Sequence, residues 1–290
     1  MSSESVYPAT LYVVATPIGN LADLTYRAAT VLQNVQLILA EDTRVSAVLL
    51  RHYAISTPVS ALHQHNEARR SASVIEQLAQ GQSIALISDA GTPGISDPGA
   101  RLVREVRAAG HAVVPVPGAS ALGAALSVAG IEGPVLFLGF LSTRSSARRQ
   151  ELSAAALAHW PVVLYEAPHR LLELADDLLG VFDPVSQVLL ARELTKRFES
   201  IERMALATLP DWLRADPNHS RGEFVLVIEP ATAQDPIDTA RATALQTLEI
   251  LLEDLPLAQA VRLAQRITGL RRNDLYQHAL QFKPEEDDSK

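Results

Sequence analysis

SDAGTPGISDPG, residues 88–99, sits between the apolar run IALI at 84–87 and the helix-like segment ARLVREVRAAG at 100–110. Twelve residues holding three glycines, two prolines and two aspartates cannot sustain a regular element, because glycine loosens the backbone and proline removes a donor. A strand, then such a stretch, then a helix is the layout of a ligand loop in an α/β sheet.

The same alternation extends to both sides. Apolar runs at 11–15, 35–40, 59–62, 84–87 and 113–116 predict five strands, separated by segments with apolar residues at helical spacing, as Leu24, Ala28, Val31 and Leu32 show. Strands alternating with helices predict a mostly parallel sheet. Near Gly118 the pattern changes: GASALGAALSVAG (118–130) reads as a small-residue helix joining two halves, and further strands are expected at 135–140, 162–166, 187–191, 200–207 and 223–229. These follow one another more directly and predict a mixed sheet. After Pro230, ATAQDPIDTAR (231–241) reads as a polar linker, residues 240–282 as two or three helices, and KPEEDDSK (283–290) as a frayed acidic tail. The expected organisation is an N-terminal α/β lobe at 1–117, a second α/β lobe at 118–230 and a helical appendage with its tail at 231–290.

Three strands of the first half end in related loops, ATPIGN (15–20), GTPGIS (91–96) and PVPGAS (115–120). The carboxyl edge of a parallel sheet is where ligands sit, and glycine lets the backbone approach them. Neither G-x-G-x-x-G after the first strand nor a G-K-[ST] phosphate loop is present, which removes the common dinucleotide and nucleoside triphosphate signatures. The same edge carries Glu41, Asp42, Asp89 and Asp97, with Arg44 nearby. Those carboxylates repel polyphosphate and favour a ligand with positive charge. S-adenosylmethionine, a sulfonium with an ammonium group, meets that requirement; a divalent metal is the competing reading, although no metal-ligand spacing is recognisable.

Composition narrows the class. The chain has 290 residues, 48% of them hydrophobic, and a net charge of -8. It contains no cysteine, so disulfides, thiolate metal sites and a cysteine nucleophile are excluded, and a cytoplasmic home is expected. MSSESVYPAT (1–10) has no basic region ahead of an apolar segment, and the most apolar long stretch, 119–141, is broken by Glu132, Gly133 and Pro134, so neither a signal peptide nor a membrane span is expected. The acidic balance disfavours a surface that grips nucleic acid throughout and leaves room for local basic patches.

ATPIGNLADLTYRA, AEDTR, SDAGTPGISDPG, VPGASA, YEAPHRL, ARELTK and GEFVLVIE occur in that order between residues 15 and 229. Together they resemble the tetrapyrrole methylase superfamily, and within it the branch of 2′-O-ribose methyltransferases acting on a cytidine of 16S ribosomal RNA; ITGLRRNDLYQHAL (267–280) is similar as well. The set departs in detail at Ala15, Ser120 and Ala167, where the superfamily more often has proline, threonine and another residue before the proline. The resemblance implies two α/β lobes with S-adenosylmethionine in the cleft between them, a homodimer, and 16S rRNA or the small ribosomal subunit as partner. It implies donor contacts at Pro17, Gly19, Ala90, Gly91, Thr92, Ile95, Ser120, Ala121, Glu166 and Leu194.

A ribose hydroxyl must lose its proton to attack a methyl group, which asks for a carboxylate, a lysine or a water within reach. Glu166, Glu193 and Lys196 are the candidates, and no metal is required. Phosphate contacts are expected from Arg144, Arg148 and Arg149 in STRSSARRQ (142–150), from His169 and Arg170, and from Arg197. Two further readings compete: the same fold methylating a small tetrapyrrole, and a non-catalytic RNA-binding module.

Overall fold

The computed structural model describes residues 6–63, 66–231 and 236–282, with the backbone alone at 236–243, 281 and 282. The expected acidic tail at 283–290 and part of the expected linker, 232–235, lie outside these residues. Two compact units are present, one running to Pro230 and one from Ala231.

Ten strands of the first unit form two five-stranded sheets. The first comprises β1 (Thr10–Val14), β2 (Leu37–Ala40), β3 (Val59–Ala61), β4 (Ile84–Ile87) and β5 (Ala112–Val116), in the order β3-β2-β4-β1-β5. Every pairing is parallel. Helices α1 (Tyr26–Asn34), α2 (Thr43–His52), α3 (Glu67–Ala79) and α4 (Ala100–Ala108) cover both faces. The period of two in the strands decides which residue meets which layer. Tyr12, Val14, Ile38, Ala85 and Ile87 pack with α1 and α2, whereas Leu11, Leu39, Ile84 and Leu86 pack with α3 and α4. Local chemistry sets the helix starts: Thr25 accepts the Ala28 N–H at 3.0 Å and caps α1, and Asp42 accepts the Arg44 N–H at 2.8 Å and caps α2.

Helix α5 (Ala121–Ala129) leads to β6 (Leu136–Phe140), β7 (Val162–Glu166), β8 (Gln187–Arg192), β9 (Ser200–Ala205) and β10 (Phe224–Glu229), ordered β6-β7-β10-β8-β9. One pair, β6 with β7, is parallel and the rest are antiparallel, the mixed sheet that directly succeeding strands predict. Helices α6 (Ser145–Ala156), α7 (Leu171–Leu179) and α8 (Leu209–Ala215) bury one face of it. The other face, carrying Val163, Leu189, Ala191, Val225 and Val227, packs on α5 and on Ile18 from the loop after β1. That layer joins the two sheets through a shared core.

The unit from Ala231 contains α9 (Pro236–Asp254), α10 (Leu257–Thr268) and α11 (Arg272–Phe282). Helix α9 begins inside the stretch expected to be a linker, since proline is well placed in a first helical turn. Leu248, Ala260, Val261, Ala264, Leu275 and Ala279 form its core, and Leu251, Leu252 and Leu255 pack against them. No helix among the described residues is long and apolar enough to cross a membrane.

Candidate functional site

The three loops expected to converge do so through specific backbone contacts. Gly91 donates to the Thr16 carbonyl at 3.0 Å and Thr16 donates back at 2.8 Å, an antiparallel bridge between the loops after β1 and β4. The Thr92 hydroxyl donates to the Ala119 carbonyl at 3.3 Å and ties in the loop after β5. Gly91 has φ +79°, and a Cβ there would lie 3.4 Å from Ile18 Cγ2. Gly91 is therefore a clamp: its N–H donates to the Thr16 carbonyl and its carbonyl accepts the Thr16 N–H, while the residue also lines the cavity described next.

These loops and the second sheet enclose a cavity of about 320 Å³. Of the expected donor contacts, Ala90, Gly91, Thr92, Ile95, Ser120, Ala121, Glu166 and Leu194 line it. Pro17 and Gly19 do not; they line a more open groove of about 690 Å³ that shares Ile18, Ala90 and Glu223 with the cavity. Gly19 serves close packing instead, because a Cβ on it would fall 2.4 Å from Lys196 Cγ and 3.1 Å from the Leu194 carbonyl.

The proposed proton acceptors have different surroundings. Glu166 is buried in the cavity wall, accepts the Ala167 N–H at 2.8 Å and lies 3.3 Å from Arg170 Nη2. Glu193 sits outside the cavity, accepting from Lys196 at 2.8 Å and from the Glu223 N–H at 2.9 Å. Burial would raise the Glu193 carboxyl, but the Lys196 and Glu223 hydrogen bonds outweigh it and hold it below the usual range. Burial would lower the Lys196 ammonium, yet Glu193 and Glu223 together raise it. The ammonium form of Lys196 is thus favoured, which argues against its acting as the base.

The carboxylates at the sheet edge divide similarly. The hydrogen bonds and charge of Arg44 hold Asp42 down to about 2, and its Oδ2 lies 2.6 Å from Arg44 Nη2. Glu41 is raised by burial and by the charges of Asp97 and Asp89. Asp97 is raised by burial and by Asp89, against the pull of the Ser88 hydroxyl. Among the described residues no group of three or more His, Cys, Asp or Glu is placed to hold a metal ion.

The basic residues separate into exposed and structural ones. Arg144, His169 and Arg197 are exposed, with the Arg197 guanidinium 5.4 Å from the Phe198 ring centre. Arg148 is fully buried: its Nε lies 2.6 Å from Asp177 Oδ2. Arg149 pairs with the same carboxylate at 2.5 Å but remains half exposed. Arg170 donates to the Leu141 and Ser142 carbonyls at 3.0 and 2.9 Å. Arg148 and Arg170 therefore hold α6 and the β6 exit in place, a correction to their expected phosphate contacts. Separation in sequence hides such partners, since Asp177 lies 29 residues from Arg148.

Phe140 and Tyr165 line the cavity without having been picked out from the sequence, and Asp97, one of the carboxylates expected at the ligand edge, lines it as well. Tyr165 accepts the Leu122 N–H at 3.0 Å and meets Phe140 edge to face. Only the position of Tyr165 beside Glu166 at the end of β7 signals its role in the sequence.

Comparison with known proteins agrees with this geometry. Residues 10–210 match the family model of the Tetrapyrrole (Corrin/Porphyrin) Methylases, and residues 238–283 match that of the RsmI C-terminal HTH domain. The chain is 49% identical to ribosomal RNA small subunit methyltransferase I of Pseudomonas aeruginosa, covering 94% of this chain and 97% of that protein. To its namesake in Haemophilus influenzae it is 45% identical, over 93% of this chain and 96% of that one. Among solved structures it is similar to uroporphyrin-III C-methyl transferase from Thermus thermophilus complexed with S-adenyl homocysteine. That likeness has a TM-score of 0.55 at 17% identity and covers 76% of this chain and 96% of the other.

Proposed function

The chain belongs to the tetrapyrrole methylase family, and from that premise we propose that it transfers a methyl group from S-adenosylmethionine to the ribose 2′-hydroxyl of a cytidine in 16S ribosomal RNA. The observation that carries this reading is the extent of the likeness to the rRNA methyltransferases. It spans 94% of the chain at 49% identity and includes the helical unit, whereas the likeness to the porphyrin-methylating structure covers 76%. A small-tetrapyrrole substrate leaves that helical unit without a role.

The cavity suits the donor. Ile18, Ile95, Leu194 and Phe140 offer apolar wall, while Asp97 and Glu166 supply negative charge suited to a cationic molecule. Bound there, the donor supplies an electrophilic methyl group on a sulfonium. The protein's part is to align the hydroxyl and exclude water. The bridged loops at Thr16, Gly91 and Ala119 hold one wall of the cavity rigid, and Glu166 with Arg170 fixes the opposite wall. Exposed Arg144 and Arg197, with His169, are the groups we assign to the RNA backbone, and Arg149 joins them through its exposed half. A homodimer working in the cytoplasm completes the proposal.

Incubation with methyl-labelled donor and either small ribosomal subunits or a porphyrinoid tests it. Label is expected in 16S rRNA, in a dinucleotide that survives alkali because the blocked 2′-oxygen cannot attack the neighbouring phosphate. Label in the porphyrinoid, or in an alkali-sensitive base position, would overturn the reading.

A further inference from the structure

The charges of the helical unit are sorted by element. Glu249, Glu253 and Asp254 lie on α9, whereas residues 255–273 contain Arg262, Arg266, Arg271 and Arg272 and no aspartate or glutamate. All four arginines are exposed, and no ion pair among the described residues involves any of them. In a chain of net charge -8, four such cations within eleven residues are a local reversal of sign. The next carboxylate, Asp274, falls in the first turn of α11, where it complements the helix N-terminus.

The backbone brings the four together. Three residues, 269–271, join α10 to α11, and Gly269 at φ +74° closes α10 in the left-handed conformation that lets the chain turn. On α10 the exposed Gln259, Arg262 and Arg266 recur at spacings of three and four, so they form one stripe opposite the buried Ala260, Val261 and Ala264. Arg271 lies in the turn and Arg272 opens α11. Tyr276 follows one turn beyond Arg272 on the same side of α11 and is 40% exposed.

We propose that this face binds an unpaired segment of ribosomal RNA, with backbone phosphates on the four arginines and one base stacked on Tyr276. The inference rests on the preceding reading that 16S rRNA is the substrate, and it adds an anchoring surface apart from the donor cavity. Guanidinium groups take phosphate through paired donors and also lie flat on bases. Duplex RNA keeps its bases stacked inside, so an exposed aromatic ring beside arginines fits the splayed bases of a single strand. A surface of this kind acts on affinity. Because both units belong to one chain, RNA held by the helices meets the methylase unit at an effective concentration set by the connecting residues. Losing the anchor therefore raises KM for the small subunit and leaves kcat and donor affinity alone.

The full-length chain carrying Arg266→Glu and Arg271→Glu tests this, through binding of a protein-free 16S rRNA transcript and steady-state methylation of small subunits. Transcript affinity should fall by about tenfold or more, and its slope against log salt should flatten by roughly two, one for each phosphate no longer neutralised. KM should rise in step, with kcat and donor affinity within about twofold of wild type. Tyr276→Phe should bind as wild type does, whereas Tyr276→Ala should lose about 5- to 150-fold, the range for one stacked base. Wild-type affinity and salt slope in the charge-reversed chain, or a fall in kcat at unchanged KM, would overturn the proposal. Weakened binding to subunits with unchanged binding to the transcript would assign the arginines to a ribosomal protein and overturn it as well. Should the glutamates unfold the helices, Arg266→Gln with Arg271→Gln decides the matter through the same salt slope. Subunits left unmethylated by the wild-type chain would instead remove the proposed function, while the transcript still reports what this face binds.

Discussion

Thr16 and Gly91, 75 residues apart, hold each other by a reciprocal pair of backbone hydrogen bonds of 2.8 and 3.0 Å. The pair fixes the first two ligand loops to one another, so its geometry limits what position 91 tolerates. Gly91→Val must adopt φ near +79° and place its Cβ 3.4 Å from Ile18 Cγ2. Left-handed backbone on a β-branched residue costs at least 1–2 kcal/mol, so donor affinity should drop by about tenfold or more. Calorimetric titration checks this, and an unchanged affinity would mean that the bridge does not shape the cavity.

Gly19→Ala tests space alone, since Gly19 does not need a positive φ. Its new methyl would meet the Lys196 stem and the Leu194 carbonyl, and a backbone neighbour yields poorly. Donor affinity should fall because Leu194 lines the cavity. Gly19→Ala combined with Lys196→Ala should recover only part of the loss, as the carbonyl still crowds the methyl.

Asp177→Ala should destabilise the fold by about 3–5 kcal/mol, because it leaves the buried Arg148 with only the exposed Glu173 carboxylate, 3.6 Å away. Burial alone would raise the Asp177 carboxyl, but hydrogen bonds from Arg149, Ser145 and Arg148 hold it below the ordinary aspartate value. A carboxyl lowered by folding contributes stability that is complete above its unfolded pKa, about 4, and is lost as pH falls through its folded value. Denaturant melts of wild type should therefore weaken below about pH 4 more steeply than those of Asp177→Ala.

Arg144→Glu with Arg197→Glu removes two exposed cations and no ion pair found among the described residues. RNA affinity should drop, and the slope of log affinity against log salt should flatten by roughly one for each phosphate no longer neutralised, with donor affinity unchanged. Wild-type behaviour across salt would assign both arginines to ordinary surface.

Light scattering of the free protein at micromolar concentration should give about twice the 31.3 kDa chain mass. The leucines at the end of α9 already pack within their own three-helix unit, Leu248 buried and Leu251, Leu252 and the following Leu255 partly buried, which leaves them little surface for that interface. Mixing Gly91→Val with the Arg144 and Arg197 double variant should restore activity if RNA held by one subunit reacts in the other. A monomer would end the dimer claim, and a dimer without complementation would end only the sharing of substrate.

Strand positions were legible to within about two residues because apolar runs bounded by glycine and proline have few other readings. The loops that hold Ala90 to Ile95 and Ser120 were legible as candidate ligand loops, lying where a parallel sheet presents ligands, whereas the individual donor contacts came from the family resemblance alone. What escaped was pairing across distance. Nothing local distinguishes Arg148, locked to Asp177, from exposed Arg144 four residues earlier. Asp42, Asp89 and Asp97 look alike as letters, yet one caps a helix, one accepts the Asp42 N–H and one lines the cavity. Their differences arise only when the strands are side by side.

That last point bears on how the molecule comes into being. Strand β1 pairs with β4 and β5 and not with its immediate successors, so Thr10 waits for Ala112, about a hundred residues on, before its ladder can form. Closing such distant pairings is slow, and chain emerging from a ribosome at about 5–20 residues per second leaves β1 unpartnered for several seconds. The rim of the cavity drawn from Thr16, Gly91 and Ala119 is then one of the last features of the first sheet to exist. A nascent chain halted before residue 112 can form the β1–β4 ladder and the Thr16–Gly91 bridge, but it lacks β5 and the Ala119 carbonyl to which Thr92 donates.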